Sequence, residues 1–155
     1  MNQDLPSDQA TAPALWNPNA AANWSLLFSP AFGAFIHARN AKTLGRLNEA
    51  KSNQIWFYIS LAFLGACLLS IFIPLSSDAP FRATGTVLLL TWYFTLAKKQ
   101  AGFVKQTYGS AYTRKPWGKP LLIGFACLVG FLVAAFAFGF VAALINGHQI
   151  APPTR

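Results

Sequence analysis

Polar and apolar positions along this chain sort into three long apolar runs, one interrupted apolar stretch and two basic connections. The longest run, 120–145, reads PLLIGFACLVGFLVAAFAFGFVAALI and contains no Asp, Glu, Lys, Arg, His, Asn or Gln. Crossing the hydrocarbon layer takes about 20 apolar residues at ~1.5 Å each. This run exceeds that length and lacks the polar face that a soluble core helix needs, so it predicts a transmembrane helix. The run 55–75, IWFYISLAFLGACLLSIFIPL, predicts another, with Trp56 and Tyr58 at headgroup level and Pro74 before the polar SSDAP that closes it. Residues 83–97, ATGTVLLLTWYFTLA, are short for a ~30 Å layer. Lys98 and Lys99 can snorkel and extend their reach, so they predict a third crossing. The short connection 76–82 makes this helix antiparallel to its predecessor.

The interrupted stretch comes first in the chain. Asn17 before Pro18 predicts an N-cap with proline at the first helical position. That helix should end near Phe28, because Ser29 precedes Pro30 and is pushed out of helical geometry; Ser29 and Pro30 then repeat the start signal. Asn23, Ser25, Ser29, Pro30, Gly33 and His37 interrupt 20–38, so two interfacial helices or a re-entrant hairpin fit better than a straight crossing. His37, the one ionisable group near the bilayer here, is expected at headgroup level. In 39–53, Arg39, Lys42 and Arg46 form a basic stripe, while Phe32, Phe35, Ile36 and Leu47 recur at roughly helical spacing. This predicts a basic amphipathic helix on an anionic leaflet, with a solvated helix as the alternative. The segment 98–119 is basic, has no acid and interleaves Phe103, Tyr108, Tyr112 and Trp117, which predicts a cytoplasmic loop anchored at the interface, with Trp92 and Tyr93 on the same side. Residues 1–15 are polar and read as a flexible tail without a signal peptide. Gly147 reads as a C-cap before a short tail, 148–155. The expected architecture is all-α: a single polytopic membrane domain over 16–155.

Composition agrees with that class. Of 155 residues, 54% are hydrophobic and 10% charged, against about 25% charged in soluble domains. The net charge of +8 could suggest nucleic acid. Its bases, however, cluster beside the apolar runs, as cytoplasmic flanks do under the positive-inside rule, so anionic lipid is expected and nucleic acid is not. Arg39, Lys42, Arg46, Lys98, Lys99 and Trp117 are the candidate membrane-surface residues, and the carboxyl terminus should face outward.

Candidate chemistry is sparse. The four acids, Asp4, Asp8, Glu49 and Asp78, cannot form a carboxylate pair between the predicted elements. No nucleophile motif, phosphate-binding glycine loop, cofactor signature or metal-ligand spacing is visible. Cys67 and Cys127 sit at different depths of parallel helices, so no disulfide between them is expected. What the runs do carry is small residues four apart: Ala62, Ala66 and Ser70; Ala126, Gly130 and Ala134; Ala135, Gly139 and Ala143. Such ladders let helix backbones approach closely, within this chain, in a homo-oligomer or against another membrane protein.

The stretch NWSLLFSPAFGAFIHARN resembles a motif of small bacterial polytopic inner-membrane proteins, through Asn23, Trp24, Phe28, Pro30, Phe32, Phe35 and Arg39. The resemblance implies a bacterial inner-membrane setting and no activity. In architecture the chain is also similar to membrane-embedded immunity proteins that protect bacteria from pore-forming toxins. The function expected is therefore contact without catalysis: neutralising a membrane-acting toxin, or alternatively serving as an accessory or scaffold subunit, or as a small transporter or lipid-handling protein.

Overall fold

The computed structural model describes residues 12–73 and 79–149, and these are mostly helical. A short strand β1 (Ala14–Leu15) precedes α1 (Pro18–Phe28), α2 (Pro30–Thr43) and α3 (Leu47–Leu69), which ends in a 3-10 turn at Ser70–Phe72. Then come α4 (Ala79–Trp92), a π-helical segment at Tyr93–Ala97, α5 (Lys98–Tyr108), a second short strand β2 (Thr113–Arg114) and the long α6 (Gly118–Gln149).

The local signals at the start of the fold act as their chemistry requires. Asn17 caps α1 by accepting from the backbone N–H groups of Asn19 and Ala20 at 3.0 and 3.4 Å, with Pro18 in the first turn. The chain breaks at Ser29, whose φ of 92° lies where L-residues are strained. Ser29 does not repeat the side-chain cap that its position before Pro30 suggests; it makes no such bond, and its hydroxyl is buried without a partner. After α2 the chain reverses through Gly45, whose φ of 70° suits a residue without Cβ, and α3 returns along α2.

Several sequence expectations change here. Residues 39–53 are not one amphipathic helix: they are the end of α2, the Gly45 turn and the first turns of α3. The polar start of α3 continues without a break into the apolar run, so its helix projects beyond the hydrocarbon stretch. The segment 98–119 is not simply a loop, because α5 extends α4 through the π segment. Its cause is one of phase. Trp92 and Ala97 are both buried, yet residues five apart on an α-helix lie about 140° apart; widening one turn brings both to the same side, and Gln100 and Val104 continue that face. The end of the expected tail is ordered, since Leu15 is fully buried and β1 runs parallel to β2. The Lys115 N–H donates to the Leu15 carbonyl at 2.8 Å, and Val104 and Tyr112 complete a small cluster there. Helix α6 starts before Pro120 and continues through Gly147, which therefore does not cap it.

Two stretches, Leu47–Phe72 and Gly118–Ile145, are long and apolar enough to cross a membrane. Phe72 meets Phe138 with ring centroids 5.4 Å apart, while at the other end Phe28 and Phe32 pack on Gly124. Helix α4 runs antiparallel to α3, because Phe81 lies against Phe63 and Trp92 against Asn53.

Candidate functional site

The interior is built around Trp92. Its indole is fully buried, and its Nε1–H donates to Asn53 Oδ1 at 3.1 Å. This corrects its expected place as an interfacial anchor. Gly33 makes the approach of α2 possible: a Cβ there would lie 1.9 Å from Ser25 Oγ and 2.4 Å from the Trp92 ring. Ser25 itself turns back to donate to the Ala21 carbonyl at 2.9 Å. The ring of His37 meets Trp92 edge-on, centroids 5.3 Å apart.

His37, expected near headgroup level, has its ring fully buried in protein. Its Nε2 lies 3.2 Å from the Pro18 carbonyl, which can only accept, so that nitrogen carries the proton. Nδ1 has no partner. Burial disfavours the charged imidazolium and pulls the pKa down from 6.5 to about 4, against a smaller upward pull from the Pro18 bond. Gln100 Nε2 donates to the His37 carbonyl at 3.0 Å, tying α5 to α2 across 63 residues of sequence. Asn40 holds the entry to α1: its amide donates to the Trp16 carbonyl at 2.7 Å and accepts from the Trp16 N–H at 3.0 Å. Each such bond contributes about 1 kcal/mol net, and an orphaned partner costs more, so this polar core specifies one arrangement of five helices. It encloses a neutral imidazole, positioned as a structural group.

The membrane-surface candidates separate into two kinds. Arg39, Lys42, Lys98 and Lys99 are exposed, with Arg39 over the Phe35 ring at 5.1 Å and Lys98 over Phe94 at 5.7 Å. Trp117 is half-buried. Arg46 is instead a packing residue: it pairs with Glu49 and lies 4.0 Å over the Phe103 ring, joining the α2–α3 turn to α5. Glu49 is the only acid among the described residues. Among the described residues the other bases thus meet no carboxylate.

The small-residue candidates on α6 differ in exposure. Ala126, Gly130 and Ala143 are exposed, and Ala134, Ala135 and Gly139 half-buried. A Cβ added at Gly130 or Gly139 would meet nothing within 4 Å. The glycine of α6 that is packed is Gly124, where a Cβ would lie 3.1 Å from Phe32 and 3.2 Å from Phe28. The aromatic motif therefore has a structural use. Trp24, Phe28 and Phe32 pack in series, with centroids 5.9 and 5.0 Å apart, and Phe28 and Phe32 grip the start of α6.

A mostly helical chain with two helices apolar enough to span a bilayer, and with few residues of their most apolar stretches fully buried, belongs among candidate membrane proteins. Set against protein-family models, curated proteins and solved structures, the chain matches none.

Proposed function

We propose that the chain is a polytopic inner-membrane protein without catalysis of its own, which acts by helix contact through α6. In this reading α3, α4 and α6 cross the bilayer, and the α1–α2 hairpin dips in from the cytoplasmic side. The basic connections are cytoplasmic, and the carboxyl terminus faces outward. The observation that carries the proposal is the bareness of α6: its most apolar stretch is unburied, with Phe136 80% exposed beside the open surface at Gly130. The most specific form is an immunity protein that blocks a membrane-acting bacterial toxin within the bilayer. An accessory or scaffold subunit of a larger complex would use the same face on a resident partner.

The test is photo-crosslinking in cells from benzoylphenylalanine placed at Phe136. Capture of a toxin, with survival on its expression, supports the immunity form; capture of a resident membrane protein supports the subunit form. Gly130→Leu should cut capture about tenfold by holding backbones apart, with unchanged membrane levels because a Cβ there meets nothing within 4 Å. Gly33→Ala, by contrast, should lower the protein level itself. Lipid adducts alone at Phe136, or full capture by Gly130→Leu, would contradict contact through α6.

A further inference from the structure

Between α2 and α3 lies a groove of about 130 Å³ that the contact surface on α6 does not use. Phe35, Arg39 and Lys42 line it from α2, and Gln54, Phe57 and Tyr58 from α3. Its polar end holds two cations, and neither meets a carboxylate among the described residues, where Glu49 is engaged by Arg46. The Gln54 amide and Tyr58 hydroxyl add neutral hydrogen-bonding groups.

The other end of the groove is apolar. Phe35 and Phe57 pack together with centroids 5.9 Å apart. One and two turns further along the same face of α3 come Leu61, exposed, and Gly65, where a Cβ would meet nothing within 4 Å. Gln54 is the last polar residue before the apolar run that begins at Ile55, so the groove straddles the boundary where headgroup phosphates lie. An ion free in water would use the cations alone, whereas a phospholipid would use both ends. We propose that this groove is a discrete site for an anionic phospholipid, with Arg39 and Lys42 holding the phosphate and an acyl chain following Leu61 and Gly65. Arg39 stays aimed by its stacking on Phe35, which leaves the edge of the guanidinium for bidentate contact with phosphate oxygens. The diffuse attraction of a basic loop to a charged surface would have neither this geometry nor this dependence on α3.

The site rests on the membrane placement of α3, so the experiment reads the two separately. The full-length protein is incorporated into phosphatidylcholine nanodiscs; failure to incorporate counts against the membrane placement. In incorporated samples, spin-labelled phosphatidylglycerol and phosphatidylcholine report relative association through the motionally restricted signal. The wild type should prefer phosphatidylglycerol, and Arg39→Ala with Lys42→Ala should lower that preference about tenfold. Lys98→Ala with Lys99→Ala, which removes the same charge elsewhere, should leave most of it. Gly65→Trp keeps every cation and should still weaken it by filling the acyl track, and glycerol phosphate should not displace the lipid. No preference in the wild type, equal loss in the two double variants, indifference to Gly65→Trp or displacement by glycerol phosphate would each overturn the site.

Discussion

His37 shows how far one residue's role depends on partners distant in sequence. Its neighbours in the chain suggest an interfacial histidine. Its contacts are Pro18, Trp92 and Gln100, from α1, α4 and α5, and they make it a neutral core group. No local pattern announces that convergence, whereas Asn17, Pro18 and Pro30 act within a turn or two and were legible as they stand. A pH dependence follows. Above pH 6.5 the imidazole is neutral whether the chain is folded or unfolded. Between 6.5 and about 4 the unfolded chain binds a proton that the folded one refuses, so stability falls as pH falls through that window. The loss should reach at most ~3 kcal/mol. Denaturation in detergent from pH 7.5 to 4.5 should show this slope in the wild type and a flatter one in His37→Asn. Equal slopes would mean that His37 is charged, or solvated, in the fold.

Helices explain which expectations held at the level of elements. Hydropathy marks an apolar run well because every residue of the run contributes to it: α6 contains all of 120–145, while of 55–75 helix α3 holds 55–69, the 3-10 turn takes Ser70–Phe72, and 74–75 lie outside the described residues. Element ends and the nature of the connections are harder, since packing sets them. The apolar run of α3 gives no sign that its helix starts at Leu47, and α5 is read as a loop because its cations hide the buried face of Gln100 and Val104. The same holds for the ladders: spacing identifies small residues, but whether Gly124 or Gly130 is packed depends on where Phe28 and Phe32 come to rest. The register of α3 and α6 is testable. Phe72 faces Phe138, and Cys67 lies five residues before the first while Cys127 lies eleven before the second. The cysteines thus differ in level by about 9 Å, too far for a disulfide. Oxidation should link cysteines introduced at Phe72 and Phe138, and should leave the Cys67–Cys127 pair open. A native Cys67–Cys127 bond found by mass spectrometry would require a different register.

For the whole molecule, the polar core and the apolar helices divide the work. Trp92, His37, Asn53 and Gln100 lock α1, α2, α3, α4 and α5 together near the end of α3 where its polar turns lie. From there α3, α4 and α6 extend with their apolar faces outward. Charge follows the same division, with Arg39, Lys42, Lys98 and Lys99 exposed around the locked end. In the proposed arrangement that end is cytoplasmic and the carboxyl terminus lies on the other side, three crossings later. The most direct measurement is side-specific labelling of a single cysteine in intact cells, after Cys67 and Cys127 are replaced by serine. A membrane-impermeant maleimide should label a cysteine added after Arg155 from outside, and should reach one at the exposed Gln106 of α5 only after the membrane is opened. Labelling of both positions from the same side of a sealed membrane would contradict the three-crossing arrangement.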